Sequence, residues 1–169
     1  MVNSFDFPNG STIARAATRI APVVARIKQD VKQGGGLCIY VNDNFGLWQA
    51  DFRELVVRAE VGRGAGVMAR LMPQADDAFI LKLRHSAFFQ TPLPLFLQQH
   101  AIGHLIVTGV EAEWCVLATA LEAQMRQYLV DAPANAMASA SPSRKAAALQ
   151  VLRHAGVRTR AFSRPRSRR

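Results

Sequence analysis

The stretch HLIVTGVEAEWCVLATALEAQ, residues 104–124, decides the fold of this chain. Its first five residues, His104–Thr108, are mostly apolar, which is typical of a strand buried on both faces of a parallel sheet. A tight turn over residues 109–113 then leads into a helix whose first turn carries Cys115. The free N–H groups and the positive dipole at a helix start favour a thiolate, so the sequence predicts a nucleophilic cysteine.

Strand-like and helix-like segments alternate along the whole chain. The predicted strands are Leu37–Val41, Ala78–Leu83, His104–Thr108 and Tyr128–Ala132, and Gly156–Ala161 has the composition of one more edge strand. The predicted helices are Ile13–Gln33, Thr91–Gln99, Ala112–Gln127 and Ser141–His154. This order predicts an α/β fold of the Rossmann-like kind, a three-layer sandwich with a mostly parallel sheet and right-handed crossovers.

The composition fits one globular domain. The chain has 169 residues, half of them hydrophobic, which excludes a disordered protein. No apolar run reaches the roughly 18 residues that a membrane helix needs, and the N-terminus lacks the pattern of a secretory signal. Only Cys38 and Cys115 carry thiols, so we expect no disulfide framework and a cytoplasmic location.

The net charge of +9 comes entirely from the C-terminal part of the chain. Residues 1–131 hold 12 basic and 12 acidic side chains, whereas residues 132–169 hold nine basic side chains and no acidic one. We therefore divide the chain into a domain over residues 1–162 and a basic, disordered tail over residues 163–169. Because Phe162 is the only aromatic residue near these arginines, the tail favours a solvated end over a nucleic-acid-binding surface.

Polar side chains follow three of the predicted strands where each strand ends. Lys82 lies at the carboxyl end of its strand, Asp43 just past the end of another, and Cys115 just past a third. Because ligands bind beyond the carboxyl ends of parallel strands, we expect these side chains to lie close together. A cysteine that attacks a carbonyl carbon needs a cation or proton acceptor and donors for the developing oxyanion. Lys82 and the backbone N–H groups of residues 111–115 are the candidates.

Each of these residues also has a structural interpretation. A cysteine beside a strand–helix turn is, from local sequence alone, more often a small buried hydrophobe than a nucleophile. Lys82 at a strand end usually reaches solvent, and Asp43 can cap a turn. Trp48 fits a core position and a pocket wall equally well. The histidines are scattered, which favours a Cys–Lys over a Cys–His arrangement: His85, His100, His104 and His154.

Several segments together resemble the isochorismatase-like cysteine hydrolases. They are KLRHSAFFQT (residues 82–91), TGVEAEWCVLATALEA (108–123), YVNDNFGLWQADF (40–52) and, more weakly, NAMAS (135–139). Each motif is modest alone, but the ordered set spans nearly the whole chain. The resemblance implies hydrolysis of a C–N bond in a small amide-like metabolite through a cysteine thioester, with no cofactor and with a homo-oligomeric assembly.

The resemblance also assigns roles to residues of this chain. It implies that Cys115 is the nucleophile and that Lys82 stabilises the thiolate and the intermediate. It implies a cis peptide at Val110–Glu111, so that the N–H groups of Glu111 and Cys115 form an oxyanion hole. Candidate pocket residues are Phe5, Asp43, Trp48 and Phe88.

The chain departs from the family pattern in two places. One branch binds a metal through an Asp-x-His pair, but here the segment reads Asp43-Asn44-Phe45, so we predict no metal. The family's first, central strand and the catalytic Asp that ends it would fall before Met1. We therefore expect that the natural product carries that strand upstream, and that its Asp acts as general base. An apolar run ending in Asp directly before Met1 would support this expectation, and an in-frame stop would contradict it.

Three other functions remain open from the sequence. Hydrolysis of a vinyl ether does not need the thiol, so Cys115 argues against it. A catalytically inactive binding or oligomerisation module is favoured by the missing Asp. A nucleic-acid binder driven by the tail would have weak, strongly salt-dependent affinity that disappears when residues 163–169 are deleted.

Overall fold

Parallel strands alternate with helices in this protein, whose structure, a computed structural model, describes residues 1–46 and 51–163. The strands are β1 (Ile39–Asp43), β2 (Ala78–Lys82), β3 (His104–Ile106), β4 (Gly109–Val110), β5 (Leu129–Asp131) and β6 (Met137–Ala138). The α-helices are α1 (Gly10–Gln33), α2 (Phe52–Val61), α3 (Ala65–Leu71), α4 (Leu93–Gln99), α5 (Leu117–Met125) and α6 (Pro142–His154). A π-helix (Ala112–Val116) precedes α5, and a 3₁₀ turn (Ala134–Ala136) precedes β6. The predicted α/β class is confirmed.

All strand pairs within the described residues are parallel. β1 pairs with β2, β3 with β5, and β4 with β6. The first pair is in register from Ile39 opposite Ala78 to Asp43 opposite Lys82. This register places a carboxylate and an ammonium side by side at the carboxyl end of the pair.

A cavity separates β1 from β3. Each of these strands pairs along one edge only within the part of the chain that the structure describes. Both line a cavity of about 440 Å³, whose other walls include Val24 and Ile27 of α1 and Leu93 and Leu97 of α4. The described residues form three separate parallel pairs rather than one continuous sheet. The expected additional central strand stays a prediction.

The apolar core lies in several clusters between the helices and the strands. One cluster joins α4, α5 and α6 around Leu97, Ala120 and Leu152, which are fully buried. Another joins α1 to α3, and a third packs α2 and α3 against Tyr40 of β1. The helices thus cover the strands in separate layers, as a parallel sheet requires.

The element boundaries differ from the sequence prediction in a few places. β1 begins and ends two residues later than predicted, so Asp43 is the last residue of the strand. The predicted edge strand Gly156–Ala161 is reduced to a single bridge between Arg158 and Asp131. The sequence analysis assigns no element to residues 52–71, where α2 and α3 lie. The signal it missed is Asp51, whose side chain caps α2 by accepting from the N–H of Glu54 at 2.9 Å.

The predicted start of α6 agrees with the structure, whereas α1 begins at Gly10, three residues earlier than predicted, and α4 begins at Leu93, two residues later. Ser141 caps α6, and Pro142 is its first residue, as the Ser-Pro pair predicts. Within the described ranges, no helix is both long and apolar enough to cross a membrane.

A buried carboxylate ties α1 to the turn before β2. The side chain of Asp77 is fully buried and binds the ammonium groups of Lys28 and Lys32, the latter at 2.8 Å. It also accepts from the N–H of Gln74 at 2.6 Å. Burial by itself raises the pKa of Asp77, but these hydrogen bonds outweigh it and lower the pKa below its usual value.

We expect Asp77→Asn to lower the free energy of unfolding at pH 7 by about 1–3 kcal/mol, the cost of leaving buried partners unpaired. Because the pKa of Asp77 is lowered in the folded protein, the ionised carboxylate stabilises the fold fully at pH values above its unfolded pKa of about 3.9. This stabilisation is lost as the pH falls through the folded pKa. Urea unfolding at pH 7 and at pH 3 measures the difference.

Asp76→Asn is the matched control. Asp76 also binds Lys32, at 2.6 Å, but its side chain is 69% exposed, so we expect little change in stability. Equal effects of the two substitutions would contradict the role given to the buried carboxylate.

Candidate active site

A buried ammonium group lies at the centre of the site. The side chain of Lys82, only 4% exposed, ends β2. Its Nζ donates to Asp43 Oδ1 at 2.5 Å, to the carbonyl of Arg84 at 2.9 Å and to Cys115 Sγ at 3.3 Å. An ammonium group has three N–H donors, and each here has an acceptor. The structure therefore brings the predicted Lys82, Asp43 and Cys115 into one cluster.

Cys115 lies in the π-helix, two residues before α5 begins. The sequence instead predicts an α-helix that starts at Ala112. The carbonyl of Glu111 accepts from the N–H groups of Trp114, at 3.1 Å, and of Val116, at 3.2 Å. The N–H of Cys115 between them makes no bond to that carbonyl. This wider turn holds the thiol over the ends of β1 and β2.

The turn before the π-helix has the geometry that the family resemblance implies. The peptide bond between Val110 and Glu111 is cis. Gly109 has a φ of 121°, a backbone conformation that side-chain-bearing residues rarely adopt, which explains the glycine here. The N–H of Glu111 has no acceptor within the described residues. A hydrogen bond joins the π-helix to the segment after β6: Ser139 Oγ of that segment donates to Glu113 Oε1 of the π-helix at 2.7 Å.

Burial raises the pKa of the Cys115 thiol above its ordinary value. The Lys82 ammonium lowers the pKa through its charge and its hydrogen bond, whereas the Asp43 carboxylate raises it. The thiolate expected from a helix start is therefore not the resting form, because burial outweighs the charge of Lys82. A reaction at this sulfur needs a proton acceptor close by.

Two further groups that can accept a proton lie near the sulfur. Asp43 Oδ2 is 4.0 Å from Cys115 Sγ, and His85 Nδ1 is 3.9 Å away. The sequence analysis counts His85 among the scattered histidines and so misses it. The signal that could have found it is its place three residues after Lys82, in the loop that turns back across the end of β2.

The structure places the candidate pocket residues in different parts of the fold. Asp43 and Phe88 line the cavity between β1 and β3, together with Lys82 and Cys115. Phe5 does not: it is fully buried in the cluster between α1 and α3, where apolar packing explains it. Trp48 lies outside the described residues.

Metal ligands are not grouped in this region. Within residues 1–46 and 51–163, no group of three or more His, Cys, Asp or Glu side chains could hold a metal ion. The prediction that the site works without a metal stays a prediction.

The fold agrees with comparisons to known proteins. The sequence pattern of the isochorismatase domain matches residues 1–161. The protein YaaI of Bacillus subtilis, described as an isochorismatase family protein, is 34% identical over 152 residues, which cover 90% of this chain and 84% of YaaI. A probable inactive nicotinamidase of Arabidopsis thaliana is 30% identical and covers 94% of this chain and 87% of its own length.

Solved structures show the same architecture. An isochorismatase family protein of Desulfovibrio vulgaris superposes with a TM-score of 0.76 at 21% identity, over 94% of this chain and 88% of its own. The N-carbamoylsarcosine amidase of Thermoplasma acidophilum has a TM-score of 0.68 at 21% identity, over 90% and 88%. The fold defines a Rossmann-type α/β protein. The chain belongs to the isochorismatase family.

We expect removal of the Lys82 charge and removal of the Asp43 charge to shift the pH dependence of Cys115 alkylation by iodoacetamide in opposite directions. Because the pKa of Cys115 is raised, we expect the rate to rise with pH around a midpoint above the reference value of about 8.5. Lys82→Ala removes the charge that lowers the pKa, so the midpoint moves up. Asp43→Asn removes the charge that raises it, so the midpoint moves down.

Cys38 serves as the internal control, since burial raises the pKa of its thiol to about 11. Peptide mass spectrometry separates the two cysteines, and Cys38→Ser removes any overlap. Shifts of the same sign in Lys82→Ala and Asp43→Asn would mean that the charges do not act on this thiol as the geometry indicates.

Proposed function

We propose that this protein hydrolyses the C–N bond of a small amide-like metabolite, with Cys115 as the nucleophile and a thioester as the intermediate. The observation that carries the proposal is the contact of the buried Lys82 ammonium with Cys115 Sγ at 3.3 Å. A buried lysine that donates to a thiol stabilises the thiolate once the proton has left.

Each step of this reaction has a group to assist it. Sulfur attacks the amide carbon, and the negative charge that develops on oxygen needs donors placed in advance. The N–H of Glu111, which has no acceptor within the described residues, and the N–H of Cys115 are the proposed donors. The Lys82 ammonium remains beside the sulfur through attack and release. Asp43 forms an ion pair with Lys82 and so holds its side chain in place.

The substrate reaches the sulfur from the exposed side of the cluster. Asp43 has a side chain that is 40% exposed, and His85 and Trp114 are exposed beside it. The side chain of Lys82, by contrast, is buried.

Relatives and structural neighbours support the reaction class. The neighbour from Thermoplasma acidophilum is an amidase by name, and the relative from Arabidopsis thaliana takes its name from nicotinamidases. Both names concern cleavage of C–N bonds, which is the reaction we propose here. Assembly into a homo-oligomer stays a prediction.

The second candidate is a catalytically inactive module of the same family. Two observations favour it: burial raises the pKa of the Cys115 thiol, and one relative is described as probably inactive. In such a module the contact between Lys82 and Cys115 would serve only packing. Its thiol would accept no acyl group from an activated ester.

We expect the wild-type protein to release a burst of p-nitrophenolate from p-nitrophenyl acetate and to carry the acetyl group on Cys115. It should then release ammonia from members of a panel of small primary amides and ureido acids, which includes nicotinamide and N-carbamoylsarcosine. Cys115→Ala should lose both reactions by about 10³-fold or more. Intact-mass and peptide spectra locate the acyl group.

Cys38→Ser is the matched control, and it should keep both the burst and the turnover. An absence of any acetyl group on Cys115 would favour the inactive module over the hydrolase.

A further inference from the structure

A second segment of the chain runs beside the turn that carries the proposed oxyanion donors. Strand β6 pairs in parallel with β4, and Val110 lies opposite Ala138. Because the two strands point the same way, residues 139–141 leave the pair beside residues 111–113. The turn before the π-helix therefore lies against a segment that is distant in sequence.

The side chain of Glu113 connects the π-helix to that segment. Its Oε1 accepts from Ser139 Oγ at 2.7 Å. The same hydroxyl oxygen accepts from the N–H of Ser141 at 3.0 Å, and Ser141 is the N-cap of α6. The hydroxyl of Ser139 thus uses its one donor on Glu113, and its orientation is set from both sides. One carboxyl oxygen thereby links the π-helix to the start of α6.

The other carboxyl oxygen of Glu113 has no such partner. Within residues 1–46 and 51–163, Oε2 is buried and makes no hydrogen bond. A buried polar atom without a partner lowers stability, so packing alone does not explain a glutamate at this position. Side chains that a fold keeps at a cost in stability are typical of functional sites.

Glu113 lies between the two proposed oxyanion donors along the chain. Glu111 precedes it by two residues, and Cys115 follows it by two. Any shift of the main chain at Glu113 changes the position of one donor relative to the other. A catalytic group that moves by about 1 Å can lose about 100-fold in rate.

We propose that Glu113 is a positioning residue of the hydrolase reaction. Its bond to Ser139 fixes the N–H groups of Glu111 and Cys115 where negative charge develops on the substrate oxygen. Glu113 acts through the main chain of the π-helix rather than through contact with the substrate. This inference rests on the proposed hydrolase function and adds to it the bond that holds the oxyanion donors in place.

Two reactions of Cys115 separate this role from a general contribution to the fold. Acylation by p-nitrophenyl acetate places negative charge on the carbonyl oxygen, so its rate depends on the oxyanion donors. Alkylation by iodoacetamide forms the C–S bond at a CH₂ carbon as iodide leaves, and no charge develops on the carbonyl oxygen. A variant in which only the donors are displaced therefore slows acylation and leaves alkylation unchanged.

The test uses the whole protein in a Cys38→Ser background. We expect Glu113→Ala and Ser139→Ala each to slow the burst of p-nitrophenolate by about tenfold or more, with an unchanged rate of Cys115 alkylation. The double variant should be no slower than either single one, because both substitutions remove the same bond. Glu113→Gln keeps the acceptor and Ser139→Thr keeps the donor, so both should retain the burst of the parent.

Glu60→Ala is the matched control, because Glu60 is an exposed glutamate of α2, and it should behave as the parent. An acetyl group on Cys115 with an unchanged burst in Glu113→Ala would overturn the role of Glu113 alone. Equal slowing of acylation and alkylation, or loss of the burst in Glu113→Gln, would also overturn it. No acetyl group on Cys115 in the parent would overturn the hydrolase function, and the role of Glu113 would fall with it.

Discussion

The buried ammonium of Lys82 is the constraint on which the arrangement of this site depends. A charge removed from water is costly unless it is paired and its hydrogen bonds are satisfied. Here the three acceptors come from three parts of the chain: Asp43 of β1, the carbonyl of Arg84 in the loop after β2, and Cys115 of the π-helix. The register of β1 with β2 and the position of the π-helix must both be correct for the ammonium to remain satisfied. The fold thus holds the thiol and the carboxylate at fixed distances from one cation.

Burial and reactivity oppose each other at Cys115. The same enclosure that brings Lys82 into contact with the sulfur removes water and so raises the pKa of the thiol. The Lys82 ammonium offsets part of this rise in the pKa of the thiol, and the Asp43 carboxylate adds to it. A protonated resting thiol is also protected from unwanted oxidation, because the thiolate is the reactive form. Reaction then requires a proton acceptor that acts when the substrate is in place.

Helix α5 connects the parts of the site that are far apart in sequence. It continues directly from the π-helix that carries Cys115, and its side chains Thr119 and Glu122 anchor the loop that carries His85. One rigid element therefore sets the distance between the sulfur and the imidazole.

The sequence by itself determined the α/β class, the alternation of strands and helices outside residues 52–71, and the meeting of Lys82, Asp43 and Cys115 beyond the carboxyl ends of parallel strands. These follow from hydrophobic periodicity and from the rule that parallel strands end at the same edge, both of which are local or topological. Only the tertiary structure decided the sign of the pKa shift at Cys115, the place of Phe5 in the core and the approach of His85 to the sulfur. Burial, packing and the path of an anchored loop depend on residues distant in the chain, so no local pattern records them.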